Sequence, residues 1–93
     1  MKKLLVVKII SAVDEADEAF KLECEGKYIN SIAYCPGGFE FHSTIEEAVK
    51  EELDFMARLN HEYELSQPIR IELQMKRKHM FGFKEIEFHE VSV

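Results

Sequence analysis

The stretch Ser43 to Tyr63, STIEEAVKEELDFMARLNHEY, decides how the rest of the chain is read. Apolar residues stand at Ile45, Ala48, Val49, Leu53, Met56, Leu59 and Tyr63. That three-and-four spacing lines one face of a helix. Glu47, Lys50, Glu51, Asp54, Arg58 and Glu62 take the other face. Ser43 with Glu46, or Thr44 with Glu47, makes a capping box at its start, which places the first turn to within about a residue. The helix ends before Ser66-Gln67-Pro68, because proline cannot continue it.

Outward from this helix the chain has the patterns of strands. Lys3 to Ser11 is apolar at both parities and rich in β-branched residues, as in a strand covered on both faces. Asp14, Glu15, Asp17 and Glu18 form an acidic connection without the glycine or spacing of a calcium loop. Ala19 to Glu25 alternates, with Phe20, Leu22 and Cys24 on one side, and predicts a strand that Gly26 ends in a left-handed bulge. The next strand is predicted over Tyr28 to Cys35, and Cys35-Pro36-Gly37-Gly38 has the chemistry of a type II turn with Gly37 at positive φ. In that hairpin Tyr34 pairs with Phe39 and Ile32 with Phe41, while Glu40 and His42 face water and His42 lies across from Ser31. Ile69 to Lys76 alternates again and predicts a strand. The last stretch changes parity, so it needs a bulge near Lys84-Glu85. The expected fold is α+β: a mainly antiparallel sheet, in the order β-β-β-β-α-β-β, with one long helix packed on one face.

The 93 residues make one domain spanning 1–93. An apolar fraction of 46% with seven Phe belongs to a packed globule. The longest purely apolar run, Leu4 to Val7, is too short for a signal-peptide core or a membrane span, so a cytoplasmic protein without a membrane partner is expected. Two cysteines, Cys24 and Cys35, suit a reducing compartment. The net charge of −6 is uneven. Residues 1–66 hold seven Lys/Arg against fourteen Asp/Glu, whereas residues 67–93 hold five against four. An acidic body repels nucleic acid and favours a basic protein partner or solubility. The undefended sheet edges and the apolar Val91 and Val93 predict self-association as a homodimer.

Three groups of residues could carry function. Glu47, Glu51 and Asp54 form an acidic stripe on the helix, suited to a basic partner. Glu52 breaks the apolar stripe, about 20° from its centre. A carboxylate there either bends out along its stem or finds a partner inside, as a bond to a sheet side chain such as Tyr28, Asn30 or Tyr34, or as a general base or ligand anchor. Lys76, Arg77, Lys78 and Phe81 set basic residues beside an aromatic, as single-stranded nucleic-acid binders do. Phe81 and Phe83 nevertheless read better as core at a strand start, which makes nucleic acid the lesser reading. His42, His61, His79 and His89 share no metal-ligand spacing, no catalytic residue is assigned, and no cofactor is expected.

Pro36-Gly37 followed by Thr44-Ile45-Glu46-Glu47-Ala48 resembles the turn and helix start of HicB-like antitoxin domains, over residues 36–59. The resemblance implies a β-β-β-α-β domain, similar to a reduced RNase H-like fold, that binds and blocks a small RNA-cleaving toxin. The chain departs from the family at Gly38, where Cys is frequent, and at Cys35, which replaces an aliphatic residue. No DNA-binding segment follows, so the resemblance implies a protein-binding role alone.

Overall fold

The computed structural model describes residues 3–30, 34–35, 38–58 and 71–93. β1 (Lys3–Ala12) is the middle strand of an antiparallel three-stranded sheet, between β2 (Tyr28–Ile29) and β5 (Phe83–Ser92). Both of its faces are covered, as its sequence requires. Leu5, Val7 and Ile9 join one buried cluster; Leu4 and Val6 join the other. β3 (Tyr34–Cys35) and β4 (Gly38–Phe39) form a separate short hairpin in which Tyr34 pairs with Phe39. Ile32 and Gly37, which complete that hairpin in the sequence reading, lie outside the described residues.

α2 (Ile45–Arg58) packs on the Leu4/Val6 face through Ala48, Val49 and Met56. Its cap is the Thr44–Glu47 version: Glu47 N–H donates to Thr44 Oγ1 at 3.1 Å, and Ser43 N–H donates to the Glu47 carboxylate at 3.0 Å. Residues 59–63 of the expected helix lie outside the described residues.

The fold is α+β with an antiparallel sheet, but two segments expected as strands are helical. α1 (Glu18–Cys24) replaces the strand expected at 19–25. Asp17 caps it, accepting from Phe20 N–H at 2.8 Å, and so turns an acidic loop into a helix start. Residues 71–75 are also helical, where the alternation of 69–76 predicts a strand. In both segments the residues four apart face the core, Phe20 with Cys24 and Ile71 with Met75. The apolar residue between each pair points outward, with Leu22 78% and Leu73 56% exposed. Among the described residues the order is therefore β1-α1-β2-β3-β4-α2, the 71–75 helix, a 3₁₀ turn (Lys78–Phe81) and β5. α1 also separates the first two strands, which the β-β-β-α-β order does not contain.

Gly26 has φ +79°, as expected, but it follows a helix and not a hairpin. Its N–H donates to Ile9 O at 2.8 Å and so leads the chain from α1 back along β1. The bulge expected near Lys84 is present: Ser11 faces Glu85 and Ala12 faces Phe83, leaving Lys84 over. Ile10 is left over on β1 in the same way, between Ile9↔Ile86 and Ser11↔Glu85. The Ala12 N–H near this irregularity donates to Glu25 Oε2 at 2.9 Å. No helix among the described residues is long and apolar enough to cross a membrane.

Candidate functional site

The solvent-facing side of α2 and the chain that leads into it form an open groove of about 620 Å³. Glu47, Glu51 and Asp54 line it, joined by His42, Lys50, Ala57 and Arg58. The three acidic positions singled out on the helix therefore do share one surface. Lys50 pairs with Asp54 at 3.4 Å, both well exposed, which holds the pair near the surface and contributes little to stability. Asp54 thus pairs one turn back and not with Arg58, whose guanidinium lies 5.9 Å from the centre of the Phe55 ring.

Glu40 is exposed as expected, whereas His42 is the residue the sequence reading placed wrongly. Strand parity turns both to water, yet His42 is only 8% exposed. Its backbone exchanges two hydrogen bonds of 2.8 Å with Tyr28, so it stands across from Tyr28 and not Ser31. α2 then folds back over it, and Glu51 Oε2 comes to 3.7 Å from His42 Nε2. Glu40, two residues earlier, completes a group of three donors that all lie within 4.8 Å of one another. The available signal was Glu-x-His running directly into a helix cap.

Glu51 holds its proton more tightly than an ordinary carboxyl. Burial is the first cause, followed by the negative charge of Glu40 and a hydrogen bond shared with it; His42 and Arg58 act in the opposite sense. A raised acid stabilises the fold at low pH, where it is protonated in both states, and that contribution fades as pH climbs from the ordinary carboxyl range through the raised value. Glu51→Gln is therefore expected to raise the urea midpoint at pH 7 and to match wild type at pH 4. The side chain is 41% exposed, so solvent screening keeps the gain small. A lower midpoint for the variant at pH 7 would contradict this.

Glu52 points the other way, into the protein, and is 0% exposed. It is not left without a partner. Beside it in the same layer, buried Asn30 donates from Nδ2 to Ala48 O at 2.8 Å. Glu52 lines neither the α2 groove nor the second large hollow. Glu52→Ala is expected to cost at least about 2 kcal/mol, from the cavity and the orphaned partner. Glu52→Gln keeps the shape and much of the hydrogen bonding, and should cost less. Urea unfolding of the three proteins at pH 7 checks this, and equal stabilities would mean that the side chain reaches solvent.

Lys76, Arg77 and Phe81 surround the second hollow, of about 660 Å³, together with Leu73, Gln74 and Met80. Lys78 opens the 3₁₀ turn that follows. Phe81 is partly buried and packs against the core, its ring meeting Phe39 edge to face at 4.9 Å. Cys24 is buried, and burial together with Glu25 and Glu23 pushes its thiol up, so it is a poor nucleophile. Compared with protein-family models, curated proteins and solved structures, the chain matches none.

Proposed function

We propose that this chain is a small acidic protein-interaction domain that binds, and by binding inhibits, a basic partner protein, in the manner of an antitoxin. The observation that carries the proposal is the convergence of Glu47, Glu51 and Asp54 on one open groove beside Glu40 and His42. Carboxylates lining a groove attract a basic segment and set its orientation, and the attraction weakens as salt rises. Thr44 caps α2 at the position where the resemblance to HicB-like domains places a capping Thr, which adds support. The basic turn at Lys76 and Arg77 follows the helix that covers the other face of the sheet, so a nucleic acid bound there would leave the acidic groove unused.

The test is purification from the native host of wild type and of a Glu47→Lys/Asp54→Lys variant. Wild type should retain a basic protein at low salt. Charge reversal should weaken that complex at least tenfold or so, since like charges across an interface cost several kcal/mol. Equal retention by both proteins, or no co-purifying protein, would overturn the proposal.

The same reading includes a homodimer. β5 is an edge strand of ten residues among the described residues, with Phe88 46% exposed and the terminal Val93 41% exposed. Such an edge pairs readily with a second copy. A sedimentation mass near 10.9 kDa at high protein concentration would count against it.

A further inference from the structure

We infer that Glu40, His42 and Glu51 bind one zinc-like divalent transition-metal ion, with an open coordination position facing the α2 groove. The three ligands come from a single connection–cap–helix segment. The bridge to Tyr28 fixes His42, two residues after Glu40, and the Thr44 cap fixes the helix that returns Glu51 to them. Their donor atoms lie within 4.8 Å of one another without any ion, and His42 Nε2 and Glu51 Oε2 are 3.7 Å apart. Ligands bound at about 2.1 Å in a tetrahedron sit roughly 3.4 Å from each other, so closing the site needs only rotations of two glutamate side chains.

His42 is the buried member of the group. Its side chain is more than nine-tenths buried, and its Nε2 faces Glu51 Oε2 at 3.7 Å, longer than a hydrogen bond. An ion at the centre of the three donors would give this buried ring nitrogen a close partner.

The donor set selects the ion. One imidazole and two carboxylates suit zinc, cobalt or iron, whereas magnesium and calcium take oxygen ligands alone. Two carboxylates and a neutral imidazole also balance a divalent charge, which removes the repulsion between Glu40 and Glu51. Three protein ligands leave a fourth position for water or for a group brought by whatever enters the groove.

The test is titration of the metal-free 93-residue chain with Co²⁺, followed by visible absorption, and with Zn²⁺, followed by calorimetry. One ion per chain is expected, with the intense visible bands of four- or five-coordinate cobalt and no competition from excess Mg²⁺. Glu40→Gln should weaken binding about tenfold or more, and His42→Gln should abolish it. His79→Gln, at an exposed histidine remote from the three ligands in sequence, should change nothing. Absence of binding, or binding unchanged by both Glu40→Gln and His42→Gln, would overturn the inference. If His42→Gln fails to fold, judged by circular dichroism, Glu40→Gln and Glu51→Gln decide, because both carboxylates reach solvent.

Discussion

Phe83→Ala is expected to cost about 3–5 kcal/mol, the range for emptying the site of a buried aromatic ring. Phe83 is fully buried at the start of β5 and meets three other rings. It stacks on Phe20 of α1 at 6.1 Å and lies 5.5 Å from Phe39 and 6.1 Å from Phe41. One side chain thus joins β5 to α1 and to the hairpin. Domains of this kind have total stabilities of roughly 5–15 kcal/mol, so the variant should lose on the order of 20 °C in melting temperature. Leu22→Ser is the comparison. Leu22 is equally apolar and lies in the middle of α1, but it is 78% exposed and should change stability by less than about 0.5 kcal/mol. A large loss at Leu22 would mean that residues 19–25 form the alternating strand after all.

Gly82→Val should cost about 2–3 kcal/mol, from two separate causes. Gly82 has φ +88°, which a β-branched residue adopts only with strain. A Cβ at this position would also sit 2.9 Å from Cε2 of Phe20, the ring stacked on Phe83. Gly82 joins the 3₁₀ turn to β5, and its carbonyl accepts from Val13 N–H at 2.9 Å, so the backbone has little freedom to move away. Gly26→Ala isolates the first cause. Gly26 has nearly the same φ, +79°, but nothing within 4 Å of its Cβ position, and the change should cost only about 1 kcal/mol. Urea unfolding with unchanged slopes measures both. Equal losses at the two glycines would remove the steric part of this account.

Local chemistry alone determined a good part of this protein. An apolar run at both parities can only be a strand with both faces covered, and β1 is that strand. Three-and-four spacing with a capping box can only start a helix such as α2. The parity change at Lys84 demanded a bulge. Glu52, the one carboxylate in the apolar stripe, could have bent out to solvent or turned in, and it is buried. The acidic lining of the groove was legible for the same reason, since Glu47, Glu51 and Asp54 share the polar face of one helix. Tertiary structure decided the rest wherever the local pattern fits two answers. Apolar residues at i, i+2 and i+4, as in Phe20-Leu22-Cys24 and Ile71-Leu73-Met75, serve a strand with all three inward or a helix with the first and last inward. Both edges of β1 are taken by β2 and β5, while its Leu5-Val7-Ile9 face needs cover. Helices at both segments cover that face beside Phe39 and Phe41, and coiling turns their middle leucines out. His42 was hidden by the same kind of ambiguity. Parity sends it outward with Glu40, which is exposed, and only the return of α2 over that side buries the imidazole and brings Glu51 to it.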